Sequence, residues 1–110
     1  MAKLTMDEGE YAQATIDLTG LEAPWDDITG ATLTLYAHDK TTKTPMTPVT
    51  GVLDAPAADG KRHSGYALVP DTWPSSAYFC TLELEKAGDG YPQKQSFDLV
   101  IEPVALRPAT

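Results

Sequence analysis

The sequence predicts an all-β domain, an immunoglobulin-like antiparallel β-sandwich of about seven strands, and three observations carry that expectation. Apolar and polar residues alternate with a period of two along most of the chain, chain-breaking residues recur at short intervals, and no run keeps the i, i+3, i+4 spacing of a helix. Such alternation places one row of side chains on a core and the other in water, which suits antiparallel sheets wetted on one face. Fourteen threonines add to the case, because β-branched residues fit a pleated surface.

The breakers Thr19-Gly20, Pro24, Thr29-Gly30, Pro45, Pro48, Asp59-Gly60, Pro70, Pro74 and Asp89-Gly90 divide the pattern. Between them strands are expected near 2–6, 10–18, 30–38, 46–54, 63–69, 77–86 and 93–102. In the second, Ala12, Ala14, Ile16 and Leu18 face the core; in the third, Ala31, Leu33, Leu35 and Ala37 do so. The last two strands bury Tyr78, Cys80, Leu82 and Leu84, then Phe97, Leu99 and Ile101. A single helical turn is expected near Thr72–Ser76. Gly88-Asp89-Gly90 predicts a hairpin between the last two strands, with Lys94 opposite Glu83 or Glu85 depending on register. Tyr78 stands two residues before Cys80, the spacing at which sandwiches of this type bond a tyrosine hydroxyl back to the chain.

At 110 residues the chain has room for one domain: a sandwich over 1–102 and an extended, Pro-flanked tail over 103–110. The net charge of −8, with no cluster of Lys or Arg, sets the surface against a phosphate backbone, so no nucleic-acid partner is expected. No apolar run reaches the length of a membrane span, and the N-terminus lacks a secretory h-region. The single cysteine has no partner for a disulfide, which points to synthesis in a reducing cytoplasm.

Candidate chemistry is sparse. His38 and His63 fall at expected strand ends and read as solvated, and none of the four serines sits in a Gly-x-Ser-x-Gly turn, so no enzyme is expected. Glu22, Asp26 and Asp27 lack the Asp-x-Asp-x-Asp-Gly spacing of a calcium loop and read as a solvated rim. Cys80 reads as a small core hydrophobe, and no metal or cofactor is expected. The aromatics are more informative. Trp73, between Pro70 and Pro74, reads as a plug on the open edge of the sandwich. Trp25, Tyr36, Phe79 and Tyr91 fall at loop or outward positions, where large apolar surface calls for a partner. Protein contact is favoured over carbohydrate stacking, with Asp26 beside Trp25 and with Val104, Leu106 and Arg107 in the tail as further contact candidates.

The run Asp26-Asp27-Ile28-Thr29-Gly30-Ala31-Thr32-Leu33-Thr34-Leu35-Tyr36 resembles a segment of the small immunoglobulin-like domains of tailed-bacteriophage virion proteins. The N-terminal domain of siphophage baseplate upper proteins is one such domain. Gly65–Pro70, Ala77–Leu84 and Gln95–Ile101 resemble the last three strands of the same family, so the similarity spans most of residues 4–102. The resemblance implies a non-enzymatic virion part, made in the host cytoplasm and multiplied by the symmetry of its assembly. It would dock onto other virion proteins: major capsid, neck, tail or baseplate. With nothing beyond the sandwich to span a tail or grip a receptor, the reading leans toward capsid decoration or a head or tail accessory.

Overall fold

The structure is a computed structural model that describes residues 2–17, 25, 27–86 and 93–103. It contains eight strands: β1 (Ala2–Asp7), β2 (Ala12–Asp17), β3 (Thr32–Asp39), β4 (Val49–Thr50), β5 (Val52–Leu53), β6 (Ser64–Val69), β7 (Ser76–Glu85) and β8 (Gln93–Glu102). One sheet has the order β1-β8-β7-β3-β4 and the other β2-β6-β5. The two pack face to face as an immunoglobulin-like sandwich. All pairings are antiparallel except β1 with β8, which run side by side in the same direction from Ala2↔Phe97 to Asp7↔Glu102. Alternation cannot reveal that exception, because it sets the face of a side chain and not the direction of the neighbouring strand.

The expected inward rows meet between the sheets. Leu35, Tyr78, Cys80, Leu82, Leu84, Leu99 and Val69 are all fully buried, with Ile16, Leu33 and Ile101 nearly so. The central ladder is long: β3 pairs with β7 over eight residues and β7 with β8 over nine. Its register places Glu83 opposite Lys94, one of the two expected alternatives. Burial, and then a bond from Glu85, hold the Glu83 carboxyl above the ordinary range even so, against the pull of Lys94. The Gly88–Gly90 turn and Leu18 lie outside the described residues.

The largest departure from expectation is at 46–54, which is not one strand. Val49–Thr50 pairs with β3 in the large sheet, and Val52–Leu53 pairs with β6 in the small one. The crossing falls on Gly51, whose N–H donates to the Leu33 carbonyl at 2.7 Å. A Cβ added there would sit 2.7 Å from Leu33 Cδ2 and 2.8 Å from the Tyr66 carbonyl oxygen, closer than atoms pack. A Cβ added at Gly65 would lie 3.0 Å from the same Leu33 methyl and 2.8 Å from the Val52 carbonyl oxygen. Two bare positions thus let the chain and β6 close over Leu33.

The segment before β7 also differs. Residues 71–75 form turns and bends without a helical turn, and among the described residues there is no helix. Trp73, read from the sequence as a plug on the open edge, is buried, with its ring centre 5.4 Å from that of Tyr78. The Tyr78 hydroxyl donates to the Pro74 carbonyl oxygen at 2.6 Å, closing the corner expected from the Tyr-x-Cys spacing. Replacing Tyr78 with Phe removes that bond and nothing else of size, so Tyr78→Phe should lower stability by about 1 kcal/mol. Urea denaturation should show an earlier midpoint with an unchanged slope.

Candidate functional site

Most groups that could do chemistry are occupied in holding the fold. Asp27 Oδ1 accepts from Thr29 N–H at 3.0 Å, from the Thr29 hydroxyl at 2.7 Å and from Arg62 N–H at 3.2 Å. The Thr29 hydroxyl bond, then the two backbone bonds, hold its carboxyl down at about 2. Ile28 N–H donates to the Arg62 carbonyl, and Lys86 Nζ reaches the Asp27 carbonyl at 2.8 Å. Asp27 therefore ties the loop before β3 to the residues before β6 while its carboxylate stays open to solvent on the rim.

Trp25 belongs to the same end of the molecule. It was expected outward, as a surface platform, and it is instead 8% exposed and packed in the core with the fully buried Ile28. Close packing of the core accounts for this: the large apolar Trp25 ring fills space beside Ile28 that would otherwise be empty. Asp26, Tyr91, Val104, Leu106 and Arg107 lie outside the described residues.

Neither histidine is a solvated loop end. His38 lies inside β3 with its ring 5.6 Å from that of Phe79, and it bridges to Pro45. The His63 side chain is 12% exposed, with Nε2 2.7 Å from Asp59 Oδ2. That bond, followed by one from Lys61 N–H, lowers the Asp59 carboxyl. Ser64 Oγ is committed to Asp54 at 2.8 Å. Burial pushes the Cys80 thiol up to about 12, which leaves it a protonated core group. Among the described residues no group of His, Cys, Asp or Glu side chains is arranged to hold a metal ion, and no helix is long and apolar enough to cross a membrane.

What remains is surface. On the outer face of the large sheet, Tyr36 is 43% exposed and pairs with Thr81, while His38 pairs with Phe79 one row on. The segment after β3 walls this row. Asp39 Oδ1 accepts from Thr41 and Thr42 N–H, Lys43 takes φ 62°, and Met46 N–H returns to the Ala37 carbonyl at 2.8 Å. The result is a groove of about 580 Å³ between Tyr36, His38 and Phe79 on one side and Pro45, Met46 and Pro48 on the other. Of the expected contact residues, Tyr36 and Phe79 are the two the structure brings together. Alternation flagged both as outward; the wall of 45–48 had no signal beyond its prolines. The outer face of the small sheet carries a second patch, with Tyr11, Val52 and Leu68 exposed around Tyr66.

No family model matches the chain, and no curated protein is similar to it. Among solved structures it is similar to extracellular domains 3–5 of Drosophila OTK, at 16% identity and a TM-score of 0.34. That match covers 94% of this chain and 32% of the other, so this chain spans about a third of it. At this level of likeness no role passes from one chain to the other.

The Asp27 knot gives a pH test. A carboxyl lowered to about 2 from 3.8 adds stability that is present above pH 4 and lost as pH falls toward 2. Asp27→Asn should therefore melt below wild type at neutral pH. The gap should narrow through that window when melting is followed by circular dichroism.

Proposed function

We propose that this protein is a bacteriophage virion structural protein, a capsid decoration or head or tail accessory protein that acts through protein–protein contact. The observation that carries the contact reading is the Tyr36–His38–Phe79 row with its walled groove. Aromatic side chains stand there on a sheet face, in an acidic chain. Tyrosine and phenylalanine bury large area for little lost rotamer freedom, which is what the centre of an interface requires. The virion setting rests on the resemblance of the Asp26–Tyr36 run and the last three strands to phage sandwich domains. Its partners would be major capsid, neck, tail or baseplate protein, and its place the virion, reached from the host cytoplasm.

A carbohydrate-binding role is the second reading, and Tyr36 beside Thr81 is the observation in its favour. It loses ground elsewhere, since Trp25 is buried and Asp27 Oδ1 is taken up by Thr29 and Arg62.

Quantitative mass spectrometry of purified particles decides the setting. Abundance tracking the major capsid protein is expected; a ring-like ratio would move the protein to the neck or baseplate, and absence would reject the reading. Tyr36→Ala leaves the core untouched and should weaken incorporation about thirtyfold, the loss of one hot-spot aromatic. A glycan-array signal abolished by the same substitution would favour the sugar reading instead.

A further inference from the structure

The outer face of the small sheet carries most of the large apolar surface that the fold leaves in water. Tyr11 is 65% exposed, Val52 52% and Leu68 44%. The strand register sets these side chains in a line. Tyr11 stands just before the Ala12↔Val69 pair, and Leu68 lies opposite Gln13. Tyr66 shares the outer face of β6 with Leu68, and Val52 lies opposite Tyr66. Followed diagonally across β2, β6 and β5, the stripe is Tyr11, Leu68, Tyr66, Val52: aromatic, aliphatic, aromatic, aliphatic. Gln13 and Thr15 flank it on β2. An exposed apolar stripe with a polar border marks a contact surface.

We infer that this stripe is a self-association surface, on which the small sheet of a second copy packs face to face about a two-fold axis crossing the stripe between Leu68 and Tyr66. Such an axis reverses the stripe on the second copy. Tyr11 of either copy then lies on Val52 of the other, and Leu68 on Tyr66, so each contact is made twice. Every contact sets an aromatic ring against an aliphatic side chain. The alternation of the two kinds along the stripe is what makes it complementary to itself.

Charge selects a second copy as the occupant. With 16 acidic side chains against 8 basic ones, the chain repels its own kind over most of its surface and attracts bases. Tyr11, Gln13, Thr15, Val52, Tyr66 and Leu68 carry no charge. A basic partner finds no acid on the stripe to pair with, whereas another acidic chain meets no like charge there. Acids border the stripe at its ends: Glu10 before Tyr11, then Asp17 and Asp54 in the row of Ser64. Added salt screens those borders, so it strengthens this contact where it would weaken one made of ion pairs. Four side chains cover far less than the ~800 Å² per partner of a standard interface, so the association is weak. This inference stands apart from the virion reading and needs no other protein.

The test is sedimentation of the full chain from about 10 μM to about 1 mM, the range of weak association. The mass should rise toward that of two chains, and rise further when salt is added. Leu68→Asp and Tyr66→Lys each bury two charges against apolar side chains, so either variant alone should remain a single chain. Mixed in equal amounts they should associate, because the two-fold sets the new acid of one chain against the new base of the other. Tyr11→Ser, at the most exposed of the four positions, tests the surface without touching the core and should weaken association about tenfold. Circular dichroism checks that each variant is folded. A wild-type protein that stays a single chain throughout overturns the inference and leaves the face to a partner of another kind. Tyr11→Ser protein that associates like wild type overturns it too, as does a mixture of folded Leu68→Asp and Tyr66→Lys chains that stays apart.

Discussion

The sandwich depends on a crossing that only a residue without a side chain can make. Between Thr50 and Val52 the chain leaves one sheet and joins the other, and a Cβ at Gly51 would fall 2.7 Å from a Leu33 methyl. Gly65 opens the facing side. Leu33 is the part both glycines accommodate: a core side chain of β3 seated between the crossing and β6. Leu33 lies on β3, which pairs with β7 over eight residues, and β7 pairs with β8 over nine, so this contact joins the crossing to the centre of the large sheet. The groove lined by Tyr36, His38 and Phe79 stands on the opposite face of those same strands. A surface on a rigid ladder needs no ordering when it binds, which is where affinity is most easily lost.

Several polar side chains brace the loops that lead into the strands of both sheets. Asp27 gathers the loop before β3, Asp59 and His63 brace the approach to β6, and Tyr78 closes the corner before β7. Each is a side chain whose partners are backbone groups or a nearest neighbour, which is the arrangement of a loop being held in shape. Among the described residues the exposed large apolar side chains lie on two sheet faces, Tyr36 on one and Tyr11, Val52 and Leu68 on the other.

Much of this was legible in the sequence, for reasons that can be named residue by residue. Period-two alternation marked the inward rows of β2, β3, β7 and β8, because burial on one face forces it. The Tyr78–Cys80 spacing marked the corner, and Lys94 found Glu83 among its two candidates. Other features were not legible. The split at Gly51 looks like one continuous strand, since alternation carries no information on which sheet a residue joins. Trp25 looks like an exposed loop aromatic, because only the packed structure shows it joining the core with Ile28. His63 looks solvated until Asp59 is seen beside it. The groove was half visible: Tyr36 and Phe79 by parity, its 45–48 wall only through the return of Met46 to Ala37.

The seating of Leu33 is tested most directly by coupling. Gly51→Ala should cost about 1–3 kcal/mol in urea denaturation, as overpacking of a tight site does. Made in a Leu33→Ala background, the same substitution should cost much less, because the methyl it strikes is gone. Any cost that persists there belongs to the Tyr66 carbonyl. If the two substitutions simply add, the glycine and the leucine do not share one space, and the crossing is held by something other than the contact described.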